Sequence, residues 1–151
     1  MKSITRKAIA LIAISAMLFS FSYKLGGEGF EISLNNKVII QRYGTNVDDV
    51  QRLQLDRNSP NDKLTIRYHH CGKVGKNRII SIRDVQNKVI REWRYADAAE
   101  PVGPMTCNVK DILNIKNSGS DALKLYYSSS ELPNGRLLAF IVAANNSVAK
   151  K

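Results

Sequence analysis

From Lys63 to His70 the chain alternates without a break. Leu64, Ile66 and Tyr68 fall on one side, and Lys63, Thr65, Arg67 and His69 on the other. A repeat of two is the period of a strand with one buried face, and a helix cannot use it. The same alternation returns along the chain. Gly29 to Leu34 sets Phe30, Ile32 and Leu34 against Glu31 and Ser33, and Lys37 to Tyr43 resumes after Asn35-Asn36. Asparagine tolerates the positive φ of a two-residue hairpin, so these two runs are expected to pair. Val50 to Asp56 offers Leu53 and Leu55, followed by the turn cluster Asn58 to Asp62. Arg78 to Asp84 carries Ile80 and Ile82, and a second hairpin is expected to turn near Gln86-Asn87 into Lys88 to Tyr95, which holds Trp93.

Ala96 to Thr106, with Pro101, Gly103 and Pro104, reads as the longest loop, and Val109 to Ile115 as either a strand or a single helical turn. Leu123 to Ser128 is expected to pair with Arg136 to Ala144 across Pro133-Asn134-Gly135. Both faces of that last run are apolar, Leu138, Phe140 and Val142 on one and Leu137, Ala139 and Ile141 on the other, which places it inside a sheet or under a loop. The expected fold is an all-β, antiparallel β-sandwich of about seven to nine short strands with little or no helix, a small β-barrel being the alternative.

Compartment is read from the N-terminus. Lys2, Arg6 and Lys7 precede an apolar run from Ala8 to Phe21, the pattern of a secretory signal peptide. That run falls short of the roughly 20 residues a spanning helix needs. Small residues at Ser20 and Ser22 place cleavage before Tyr23. The expected organisation is a leader over residues 1–22, a flexible segment over 23–28, one β-sandwich domain over 29–145 and a tail over 146–151. The length of 151 residues and an apolar content of 44% suit one domain with its own core. The mature protein is expected to be periplasmic or secreted, without a transmembrane segment.

Outside the cytosol two thiols tend to oxidise, so Cys71 and Cys107 are expected to form a disulfide worth about 4 kcal/mol by loop closure. A metal site built from His69, His70, Cys71 and Cys107 is disfavoured, because consecutive strand residues point to opposite faces. No metal and no cofactor is expected.

Charge is the unusual property. The precursor is +10, and loss of the three basic residues of the leader leaves +7. All of that excess lies between Lys63 and Arg94, where nine basic residues face two acids. Solvated strand edges are one explanation. The functional one is an anion-recognition surface built from Arg67, His69, Lys73, Lys76 and Arg83, suited to an acidic glycan, a lipid headgroup such as that of lipopolysaccharide, or an acidic protein. Nucleic acid is not expected, since the segment has no stacking platform of several aromatics. The expected function is a non-catalytic binding module. The alternatives are a small hydrolase using His69 or His70 beside a carboxylate such as Asp84, or a structural subunit of an envelope assembly. No catalytic motif supports a specific reaction. On the strand bearing Tyr126 and Tyr127, parity points Tyr127 inward and Tyr126 outward.

Overall fold

The computed structural model describes residues 27–117 and 122–144. The expected leader with its cleavage point, most of the 23–28 segment and the 146–151 tail lie outside them. Among the described residues nine strands and one α-helix follow in order, with a short 3-10 turn at Gly44–Asn46: β1 (Gly29–Leu34), β2 (Lys37–Tyr43), β3 (Gln51–Asp56), β4 (Lys63–His69), β5 (Arg78–Arg83), β6 (Val89–Tyr95), β7 (Met105–Asn108), α1 (Val109–Asn117), β8 (Leu123–Ser129) and β9 (Leu132–Ala144). They form two sheets and no closed barrel. The first has the order β2-β1-β4-β7 and the second β3-β9-β8-β5-β6.

The alternation of the sequence is what glues the sheets together. Phe30, Ile32, Leu64, Ile66 and Tyr68 point inward from the first, and Leu53, Leu55, Ile80, Ile82, Leu125 and Tyr127 from the second, all of them buried in one apolar cluster. Tyr68 and Tyr127 meet across the gap as a stacked pair, ring centroids 4.4 Å apart. α1 adds Val109, Ile112 and Leu113 to the same core.

Turn chemistry fixes the register. Asn35 and Asn36 take φ of 48° and 67°, which suits a two-residue hairpin of the primed type. Asn35 also accepts from the Lys63 amide at 2.9 Å and donates to Asp62 at 2.8 Å, tying the β1–β2 turn to the start of β4. At the β5–β6 turn, Asp84 Oδ1 accepts from the amides of Gln86 and Lys88, both at 2.9 Å.

Four expectations need correction. First, β3 runs parallel to β9, with Gln51 opposite Ala139 and Asp56 opposite Ala144, so the sandwich is not wholly antiparallel. A parallel pair needs a long crossover, and here the chain between the two strands visits both sheets. Second, the loop after β6 ends earlier than expected, since β7 begins at Met105, and the ambiguous segment from Val109 is helical.

Third, β8 does pair with β9, but the connection is Ser130-Glu131, and Pro133-Asn134-Gly135 lies within β9. Gly135 takes φ of 69°, and a Cβ there would stand 3.1 Å from the Tyr127 carbonyl oxygen, so this glycine serves a strand irregularity beside β8. A further irregularity pairs Leu125 with Ala139 and Tyr126 with Leu137, leaving Leu138 as the extra residue. Leu138 is buried while Phe140 and Val142 face solvent, which separates three residues that simple alternation puts together.

Fourth, the cysteines are not bridged: Cys71 is exposed and Cys107 buried, and both are free. The register explains it. Cys107 lies opposite Leu64 at the start of β4, and Cys71 follows the far end of that strand, roughly 20 Å away at strand rise, well beyond disulfide reach.

Candidate functional site

The five residues expected to recognise an anion divide among three places. Arg67 and His69 lie on the outer face of the first sheet, where each has a partner. Arg67 Nη1 stands 3.3 Å from Glu31 Oε1 on the neighbouring strand. His69 meets Tyr43 edge to face at a centroid distance of 5.2 Å. Gly29 lies between them, paired with Tyr43 on one side and His69 on the other, and the Tyr43 ring leaves no room for a Cβ there. Thr65 and Thr106 share a hydrogen bond of 2.9 Å on the same surface. This face satisfies itself.

Lys73 and Lys76 are exposed in the loop from β4 to β5, at one end of the sandwich. The Lys76 amide donates to Glu131 at 3.0 Å, and the Lys76 carbonyl accepts from Ser130 at 2.9 Å, which pins this loop to the β8–β9 turn. A carboxylate therefore sits among these lysines. Arg78, in the same basic segment, is buried and structural: it donates to the Ala96 carbonyl at 3.0 and 2.8 Å and to the Gly103 carbonyl at 2.7 Å, holding the loop before β7.

Arg83 is alone among the five on the outer face of the second sheet, with other company. Its guanidinium carbon stands 4.2 Å from the centroid of Tyr126, within cation–π range. The register extends this contact into rows. Arg83 lies opposite Lys124, Lys124 opposite Phe140, and Phe140 opposite Arg52, so β5, β8, β9 and β3 present cation, cation, aromatic ring and cation in one line. Tyr126 and Leu137 lie in the next row. Among the described residues Arg52, Lys124 and Arg83 form no ion pair, whereas Arg94 on β6 is paired with Glu92. Lys124 instead donates to the Val85 carbonyl at 3.1 Å and to Asn87 at 2.7 Å, both neutral. Phe140 and Val142 remain 37% and 38% exposed on this face.

Sequence reading found Arg83 and the outward orientation of Tyr126. It missed Arg52, Lys124 and Phe140, which lie outside the basic segment. The usable signal was parity: with Leu53 and Leu55 inward, Arg52 must face out, and with Leu123 and Leu125 inward, so must Lys124.

The histidines do not meet Asp84, the carboxylate named for the alternative hydrolase reading. Asp84 sits in the β5–β6 turn at the opposite end of the sandwich, its Oδ1 occupied by two amides. His70 points inward, its Nε2 within 2.8 Å of the Tyr127 hydroxyl and 3.3 Å of Ser129 Oγ. Burial pushes the His70 pKa down from its ordinary value, and burial likewise raises those of Tyr68 and Tyr127. Close by, Glu28 accepts from Tyr68 at 3.3 Å and pairs with Arg136 at 3.0 Å. This is a polar seam between the sheets, in which, among the described residues, His70 Nδ1 and Arg136 Nη1 are buried without a hydrogen-bond partner. Cys107, its thiol pushed up to about 12 by burial and then by Asp111, is a core residue. Trp93 is half-buried at the β6 edge, with the Arg91 guanidinium 5.5 Å from its ring. No helix among the described residues is long and apolar enough to cross a membrane. A scan against models of known protein families and a search of curated proteins both find no match to this chain.

Proposed function

We propose that this protein is an extracytoplasmic, non-catalytic binding module that engages an anionic ligand on the outer face of its second sheet. One observation carries the reading: Arg83, packed on Tyr126, lies in a row with Lys124 and Arg52, and among the described residues none of the three forms an ion pair. Unpaired cations on a common face raise the local positive potential, which draws anions and weakens with salt. Arg67 is discounted because Glu31 already occupies it.

The extracytoplasmic location rests on the leader pattern of residues 1–22 and has its own check. Mass spectrometry of the protein recovered from outside the cytoplasm is expected to give a mature chain starting at Tyr23, and recovery of the uncleaved chain from the cytoplasm would overturn it. Binding is tested by titrating the purified protein against anionic and neutral polymers across a salt series. The expected result is saturable binding to an anionic member that fades as salt rises, is lost in the Arg52→Glu, Arg83→Glu double variant, and survives in Arg67→Glu. Equal loss in Arg67→Glu would move the site to the other sheet.

A further inference from the structure

Resting on that reading, we infer that the anionic ligand is an acidic polysaccharide, a polymer of sugar rings bearing carboxylates, laid across the strands of the second sheet. Three properties of the face lead there.

The first is its shape. The row from Arg52 through Phe140 and Lys124 to Arg83 spans three strand spacings, roughly 14 Å, on the open outer surface of a sheet. Small ligands are held in concave sites that bury most of their surface. A flat row of separate contacts serves instead a polymer that makes many weak contacts at once.

The second is its mixed chemistry. Phe140 stands between Arg52 on one side and Lys124 on the other, and Tyr126 underlies Arg83 in the adjoining row. Cations alone would suit any polyanion, including polyphosphate, which has no apolar surface. The exposed ring of Phe140 beside the cations calls for a ligand that alternates charge with an apolar face. A pyranose ring offers its C–H face to an aromatic ring, and its carboxylate reaches an arginine fork in the same residue of the polymer.

The third is the identity of the cations. Two of the three are arginines, Arg52 and Arg83, and the planar fork of arginine matches a carboxylate in bidentate fashion. Arg83 is further oriented by its contact with Tyr126 and by a 3.4 Å bond to Ser81, so part of its ordering cost is met before any ligand arrives.

The test compares polygalacturonate, polyphosphate, neutral dextran, a single-stranded oligonucleotide and anionic lipid vesicles by calorimetric titration of the purified protein, its Phe140→Ala and Phe140→Tyr variants, and the Arg52→Glu, Arg83→Glu variant. Thermal melting of each variant verifies that it is folded, and Phe140→Tyr keeps the ring in place. The expected result is that polygalacturonate binds at least about tenfold more tightly than polyphosphate, that Phe140→Ala removes that preference, and that Phe140→Tyr restores it. Should polyphosphate bind as tightly as polygalacturonate, with Phe140→Ala changing neither, the anion reading stands and the polysaccharide inference falls. Binding to none of the polymers would overturn both. Tighter, Phe140-dependent binding of a single-stranded oligonucleotide or of anionic lipid vesicles would replace the polysaccharide with that ligand.

Discussion

The two outer faces of the sandwich both carry arginines and put them to different use. On the first sheet Arg67 meets Glu31, His69 meets Tyr43, and Thr65 meets Thr106. On the second, Arg83 meets an aromatic ring, Lys124 meets neutral oxygens, and Arg52 is exposed beside Phe140. Positive charge along the sequence does not by itself make a binding surface; what the neighbouring strand sets opposite each cation decides. The cross-strand pair is the unit in which a sheet surface is built, and it is also the unit in which its charge is spent or left available.

Substitutions can break or sharpen this contrast, and the largest effect should come from an arginine on neither face. Arg78→Ala removes three charge-assisted hydrogen bonds and leaves the Ala96 and Gly103 carbonyls without their donor, so denaturant unfolding is expected to show a loss of about 3 kcal/mol. A loss near zero would return Arg78 to the pool of surface cations.

Next comes the double reversal Arg52→Glu, Arg83→Glu, expected to weaken polygalacturonate binding at least about thirtyfold in low salt, while Arg67→Glu weakens it less than about threefold. Comparable losses in the two proteins would erase the distinction between the faces.

A smaller effect is expected from pH. Burial depresses the His70 pKa in the folded state, so the unfolded chain binds the proton more readily and stability must fall as pH drops below the ordinary histidine value of about 6.5. Stability should be full above that value and lost progressively down through the depressed folded pKa. Glu131 and Glu28 favour the proton on His70 and Arg136 and Lys73 oppose it, but burial outweighs them. Urea midpoints between about pH 7 and 5 should decline in the parent and flatten in His70→Gln. An equal slope in both would assign the titration elsewhere.

Smallest of all, Arg67→Ala should cost less than about 1 kcal/mol, because its partner lies across a solvent-screened surface where such pairs contribute little. A larger loss in thermal melting would make the Arg67–Glu31 pair part of the framework rather than a neutral surface contact.

Much of this architecture was legible in local pattern. The period of two located seven strands and oriented Tyr68, Tyr127 and Tyr126 correctly, and the asparagines at 35–36 and 87 marked two hairpins, because both signals depend only on neighbours in the chain. What escaped depended on partners distant in sequence. Gly135 looks like a turn residue until Tyr127 is placed beside it, and Leu138 changes sides only because β8 and β9 fall out of step there. The disulfide failed for the same reason: compartment argues that two thiols oxidise, but only the β4–β7 register reveals that Cys71 and Cys107 stand at opposite ends of one strand. Three of the residues of the candidate face, Arg52, Lys124 and Phe140, lie outside the basic segment and were gathered by strand order that no local pattern contains.

The parallel pairing of β3 with β9 also sets the order in which the molecule can be completed. β9 lies between β3 and β8, so the second sheet lacks an interior strand until the last described stretch of chain has left the ribosome. Until then β3 has no neighbour on that side and the inward row of β8 has no continuation, a state with open edges and long loops still to close. A nascent chain of this kind stays open until β9 emerges, and the candidate face, which needs β3, β9, β8 and β5 side by side, comes into being only then.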